Sequence, residues 1–318
     1  MAGIICAGGE PVKAPREELA DYLALRRSMG FELRRAEKLL SQFVAYCETI
    51  GAEAVTIEIA LGWATLPEGA SPSWVCHRLG VVRAFSRYLA LVDQRNQVIP
   101  TDLVPHRPSR ATPFLYSEDQ VLAMMTAARA LHSPVRQATF ETIIGLLWAT
   151  GMRIGEALGL DRRDVDLKRG VLTVRDAKFG KTRELPLHPS TTTALTRYAK
   201  RRAGWFPADT TDAFFVSAAG TRVMYCNFHL GFKELVSRAG IAARSRTCRP
   251  RPHDLRHAFA VRTLIGWYRD GVDVEANMAK LSTYMGHVVP ANTYWYLSAA
   301  PELLALAASR LETAEEGS

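Results

Sequence analysis

Cysteine is scarce and unpatterned in this 318-residue chain: Cys6, Cys47, Cys76, Cys226 and Cys248 are odd in number, widely spaced and form no CxxC pair. That argues against a disulfide framework or a zinc knuckle and fits a reducing, cytoplasmic setting. No apolar run reaches the roughly 18–20 residues needed to cross a bilayer, so a soluble chain with no membrane partner is expected. The opening Met1 to Cys6 lacks a basic stretch, and its apolar run is too short for a secretory signal. Repeats and low-complexity tracts are missing as well. Acidic residues are outnumbered, with Lys+Arg 40 against Asp+Glu 32 and a formal charge of +8. A positive surplus favours a polyanionic partner, because cations that neutralise phosphates release condensed counterions. With 48% hydrophobic residues there is ample material for one large core or two ordinary ones.

From about Arg16 to Gln94 apolar residues recur at spacings of three and four, as in Leu19, Tyr22, Leu23 and again Leu39, Leu40, Phe43, Val44, Cys47. Breaks at Gly30, at Gly51 and across Pro67 to Pro72 divide this part into about four helices. The polar, proline-bearing stretch from Pro100 to Pro113 reads as an interdomain connector. Beyond it, helices are predicted near 117–130, 134–150, 190–203, 227–239, 253–270 and 274–284, with two more from Pro290 onward. Two short β-like runs, 170–175 and 183–187, flank a turn rich in Lys and Gly. The predicted fold is mainly α in two domains: a helical N-terminal domain over 14–104, a linker over 105–113, and over 114–318 a mixed, mostly helical domain with a small antiparallel β-sheet. The tail from Glu312 is expected to fray.

The last half of the chain carries, in order, Arg153, Lys178, His253 with Arg256, His287 and Tyr296. Exchanging a phosphodiester requires neutralising a charged transition state, a nucleophile, and a proton for the leaving oxygen. Magnesium enzymes meet the first need with clustered carboxylates; these candidates are cationic, so no metal or other cofactor is expected. Arginines suit a bidentate grip on non-bridging oxygens. Taken alone, Arg153 could instead cap the preceding helix or pair at the surface, and Glu156 could be an ordinary helical ion-pair partner. His253 and Arg256 are three apart, so on a helix they share a face near its N-terminus, where backbone N–H groups favour an anion. His253 and His257 also have the i, i+4 spacing of a zinc-protease helix. That motif needs a glutamate after the first histidine, and here Asp254 follows it, with no further ligand cluster nearby. His257 is read as packed or bonded to backbone. Just upstream, Arg244, Arg246, Arg249 and Arg251 occur with no acid among them, as a solvated loop or as contacts to a DNA backbone.

The order of these residues and their surroundings resemble the tyrosine recombinases, or phage-integrase family, over about residues 14–318. The segments that carry the resemblance are Ala149-Thr150-Gly151-Met152-Arg153, Lys178-Phe179-Gly180-Lys181-Thr182-Arg183, His253-Asp254-Leu255-Arg256-His257, and Leu281-Ser282-Thr283-Tyr284-Met285-Gly286-His287, with Tyr296 nine residues later. Met285 stands where the family usually has leucine, a swap conservative in volume. The stretch from Leu281 to Ala305 is similar to recombinases carried on transposable elements.

That resemblance implies a DNA-binding N-terminal domain and a catalytic domain that hold double-stranded DNA between them. It selects Lys178 over Lys181 and Tyr296 over Tyr284 and Tyr294. Tyr296 would attack the scissile phosphate to give a 3′-phosphotyrosine; Arg153, Arg256 and His287 would stabilise the charge, His253 would act as base and Lys178 as acid. Glu156 matches a position that helps orient the site. A homotetramer, or a hetero-assembly with related recombinases, is implied for integration, excision or transposition of a mobile element. The apolar face over 298–311 suits docking on a neighbour or on its own domain equally. With so few residues before Arg16, an additional arm-site-binding domain, and with it the bivalent phage-integrase subtype, is not expected. The gap from Arg256 to His287 is longer than in compact members, so an extended loop or helix is expected there. Two other functions stay open: a catalytically idle DNA-binding accessory protein, and a type IB topoisomerase-like enzyme.

Overall fold

Helix-forming segments separated by glycine and proline build two units, Met1–Ser109 and Arg110–Ser318. The computed structural model describes residues 15–105, 112–177, 181–207, 210–286 and 296.

The first unit contains α1 (Pro15–Ser28), α2 (Arg34–Thr49), α3 (Ile57–Thr65) and α4 (Pro72–Val92). The predicted breaks fall where expected, with Gly30 and Gly51 in left-handed backbone. Thr56 and Ser71 cap α3 and α4 by accepting from the N–H groups of Ile59 and Trp74, and Pro72 opens α4. The apolar stripes meet in a core of Leu40, Phe43, Ala60, Trp63, Leu79, Val82, Phe85 and Ile99. Arg78 is buried within it, its guanidinium 3.7 Å over the Trp63 ring and donating to the Trp63 carbonyl.

The second unit begins with α5 (Glu118–Arg129), closed by a capping box between Ser117 and Gln120, and α6 (Pro134–Thr150). A short α7 (Ile154–Gly159) leads to an antiparallel sheet, β1 (Val165–Asp166), β2 (Val171–Ala177) and β3 (Lys181–Pro186), in that spatial order. There follow α8 (Pro189–Trp205), α9 (Tyr225–Arg238), α10 (Asp254–Arg269) and α11 (Val274–Met285). Phe140, Ile143, Leu147, Leu172, Leu185, Phe215, Phe228, Phe232 and Leu255 form one core; Val261, Leu264, Met278, Leu281, Met285 and Tyr296 form a second under α10 and α11. The long gap after Arg256 is taken up by α10, a turn at Gly271 and α11.

Three elements go beyond the sequence prediction, α7, a single 3-10 turn over Arg162–Asp164 and β1: they have six, three and two residues, too few for a periodicity to show. The register places Leu172 opposite Leu185 and Val174 opposite Arg183. Directly opposed residues share a sheet face, so Arg183 projects on the same side as Leu172, Val174 and Leu185, all of them buried. The connector over 106–111, the hairpin turn with Lys178, the predicted helices beyond Pro290, the apolar face over 298–311 and the tail from Glu312 lie outside the described residues. No described helix is long and apolar enough to cross a membrane.

Candidate active site

Two helix C-termini organise the site. Gly151 ends α6 and Gly286 ends α11, both left-handed, at φ 60° and 68°. Such caps turn the last carbonyls outward, where the negative end of the helix dipole attracts cations. Arginines occupy both. Arg256 donates from Nη1 to the Gly151 carbonyl at 2.8 Å and from Nη2 to the Met285 carbonyl at 2.6 Å. Arg153 donates from Nη2 to the Gly286 carbonyl at 2.9 Å. The glycine before Arg153 and the glycine before His287 thus have one physical role, presenting carbonyls to guanidinium groups.

A carboxylate ties the cluster together. Glu156 accepts from the Arg153 backbone N–H at 2.9 Å and from Arg153 Nη1 at 2.8 Å, so its side chain closes the start of α7. It also receives a two-pronged contact from Arg183, at 2.8 and 3.2 Å. Arg183 Nε in turn donates to the Tyr284 carbonyl at 3.1 Å. Burial pushes the Glu156 pKa up, but hydrogen bonds from Arg183 and Arg153 outweigh it and leave it below the usual carboxylate value. Three guanidiniums against one carboxylate leave the cluster positive. Arg256, almost wholly buried, is lowered to about 10 by desolvation and by Arg153, and stays charged at neutral pH. Arg183 was missed as a site residue by motif reading. The signal lay in the strand alternation, since Leu185 faces the core and Arg183 is two residues before it.

His253 stands at the N-cap of α10. Desolvation, then the charges of Arg256, Arg153 and Arg251, push its pKa down to about 4. The residue is exposed, so the three neighbouring cations act on it more than burial does. At neutral pH the ring is an uncharged acceptor. One turn on, His257 meets it edge to face, with centroids 4.9 Å apart. His257 Nδ1 lies 3.2 Å from the Tyr296 hydroxyl. His257 is thus packed against two rings, as expected, and it also meets a side-chain hydroxyl. Tyr296 is buried at 2% exposure. Lys178 and His287 lie outside the described residues. Among those described, no group of three His, Cys, Asp or Glu could hold a metal ion, so the His253 and His257 spacing finds no third ligand there.

The four arginines upstream divide into two kinds. Arg251 grips buried Asp254 through Nε and Nη2 at 3.0 and 2.8 Å, and this pairing raises the Arg251 pKa. Arg244 lies 4.7 Å over the Phe114 ring and donates to the Leu115 carbonyl. Arg246 and Arg249 are exposed and find no side-chain partner among the described residues.

Residues 115–302 match the phage integrase family. The protein y4rB of Sinorhizobium fredii (strain NBRC 101917 / NGR234), which carries an integrase/recombinase assignment, is 41% identical over 303 residues, covering 93% of this chain and 96% of its own. Tyrosine recombinase XerC of Alcanivorax borkumensis (strain ATCC 700651 / DSM 11573 / NCIMB 13689 / SK2) is 26% identical, covering 72% of this chain and 70% of its own. In fold, the chain is similar to the Tn1549 transposon integrase solved with a circular intermediate DNA, with TM-score 0.62 and 19% identity over 94% of this chain and 99% of that one. The chain belongs to the phage integrase family, the tyrosine recombinases, enzymes of site-specific DNA recombination.

Proposed function

We propose that this recombinase cuts and rejoins double-stranded DNA through a 3′-phosphotyrosine formed on Tyr296, and that it serves the integration, excision or transposition of a mobile element. The observation that carries this reading is the placing of Arg153 and Arg256 on two helix C-termini, with neutral His253 and the Tyr296 hydroxyl on the adjoining face of α10. A phosphodiester set among these groups meets positive charge fixed in place before the reaction, which favours the charged transition state. Glu156 and Arg183 hold that charge in place. Lys178 and His287 complete the set by resemblance, as the proton donor to the 5′ oxygen and as a further charge stabiliser. His253 has the protonation state of a base. The covalent link conserves the phosphodiester's energy, so rejoining requires no nucleotide. Strand exchange is proposed to involve four protomers, of this chain alone or with related recombinases, and the N-terminal unit to supply DNA contacts.

The test is covalent capture. The protein is expressed with the DNA that flanks its gene, denatured rapidly, and protein-linked DNA is precipitated and sequenced beside Tyr296→Phe. Enrichment of one short sequence that vanishes in the variant is the expected outcome. A variant that still links DNA removes Tyr296 as nucleophile, and no linkage by the wild type favours an idle DNA-binding role.

A further inference from the structure

We propose that His257, a residue with no assigned role, holds the Tyr296 hydroxyl and accepts its proton during attack on DNA. This rests on the recombinase reading above and differs from it in one role: His257, not His253, takes the Tyr296 proton, and His253 is left to the phosphate. The geometry is direct: His257 Nδ1 is 3.2 Å from Tyr296 Oη, within hydrogen-bond reach, and the two rings are 5.5 Å apart at 58°. With the single N–H proton of the neutral imidazole on Nε2, Nδ1 is an acceptor and the phenol is the donor.

His253, one helical turn back, is placed differently. Its ring stands perpendicular to that of His257, and the charges of Arg256, Arg153 and Arg251 act on it. It is therefore on the side where the phosphate is gripped, and His257 is on the side of the nucleophile. Among the described residues, His253 and Tyr296 lie at the His257 ring, and Arg256 is its neighbour in the chain. Tyr296 is buried, so a docked phenol has little water to take its proton, and an adjacent imidazole fills that need. In the proposed step the Tyr296 O–H bond breaks and the proton passes to His257 Nδ1. The phenolate oxygen forms the bond to phosphorus, the bond from phosphorus to the 5′ oxygen breaks, and that oxygen takes a proton from a separate donor, Lys178 in the reading above.

The experiment measures single-turnover formation of covalent complex on the DNA fragment recovered by capture, for the wild type and His257→Gln. Glutamine keeps a hydrogen-bonding side chain but cannot take the proton. The expected result is a fall of about 100-fold, with unchanged DNA affinity and loss of the acidic limb of the pH–rate profile. The defect persists on a substrate with sulfur in place of the bridging 5′ oxygen, because a thiolate leaves without protonation. A wild-type rate with its acidic limb intact overturns the proposal, as does full recovery on the sulfur substrate. Nitrogen-15 NMR of wild type beside Tyr296→Phe needs no change at 257: the His257 Nδ1 resonance moves when the phenol oxygen is removed, and an unmoved resonance overturns the contact. Failure of the wild type to form any Tyr296-dependent complex sinks the recombinase reading, whereas a Tyr296-dependent complex with His257→Gln unaffected sinks this inference alone.

Discussion

His253 is held uncharged by its surroundings, and the sign of that effect makes two expectations. A phosphodiester brings negative charge opposite the cations that depress the imidazole, so DNA binding moves its pKa upward from about 4. Histidine NMR titration with and without duplex DNA measures this, and an unchanged pKa would show that His253 does not face the phosphate. In the free protein the depressed group binds fewer protons folded than unfolded. Its contribution to stability is present above the ordinary histidine pKa near 6.5 and is lost as pH falls toward about 4. Glu156 is depressed too, in the usual carboxylate sense: its contribution is present above the ordinary carboxylate range and is lost as pH falls through its lowered folded value. Glu156→Ala leaves Arg183 buried without its carboxylate and is expected to destabilise by about 3–5 kcal/mol near neutral pH. Urea melts of variant and wild type should converge at acid pH; a gap that persists there would mean the loss is of packing. Arg153, His253 and Arg256 were legible in the sequence because each sits in a short local motif. Arg183 and the contact of His257 with Tyr296 were not, because both depend on partners far along the chain.

At the scale of elements, most helices were legible from apolar spacing and from the glycines and prolines between them. Hidden from that reading was the use to which helix ends are put. Thr-Gly before Arg153 and Met-Gly before His287 stand in the sequence only as parts of motifs, yet each ends a helix in left-handed backbone and aims carbonyls at a guanidinium. Gly286 is constrained twice, since a Cβ there would come within 2.7 Å of Arg183 Nη1. Gly286→Ala is therefore expected to destabilise by about 1–2 kcal/mol from the backbone alone and to displace Arg183 from Glu156. Covalent-complex formation should fall more than thermal stability suggests. A variant with the expected loss of stability but wild-type cleavage would separate the cap from the chemistry. Gly151→Ala meets the Phe259 ring instead and is expected to act mainly through folding.

Over the whole molecule the charge of +8 pointed to a polyanion, yet composition cannot say which cations meet it. Packing divides them. The run from Arg244 to Arg251 looked uniform in sequence, but Arg251 is committed to Asp254, which is fully buried, and Arg244 to Phe114 and Leu115. Arg251→Ala is expected to act on stability, because it leaves a buried carboxylate unpaired, and to change DNA affinity little at temperatures where the variant is folded. Arg246 and Arg249 are exposed, with no side-chain partner among the described residues, and are the pair available to phosphate. Replacing both with alanine should leave the melting temperature unchanged and weaken binding to all duplexes about equally. The plot of log binding constant against log salt should become shallower by about one unit per arginine, since each lost phosphate contact releases roughly one counterion fewer. Binding titrations at several salt concentrations read this directly. An unchanged slope would place the DNA away from this loop, and a loss confined to one sequence would show that these arginines reach base edges, because backbone contacts are blind to sequence.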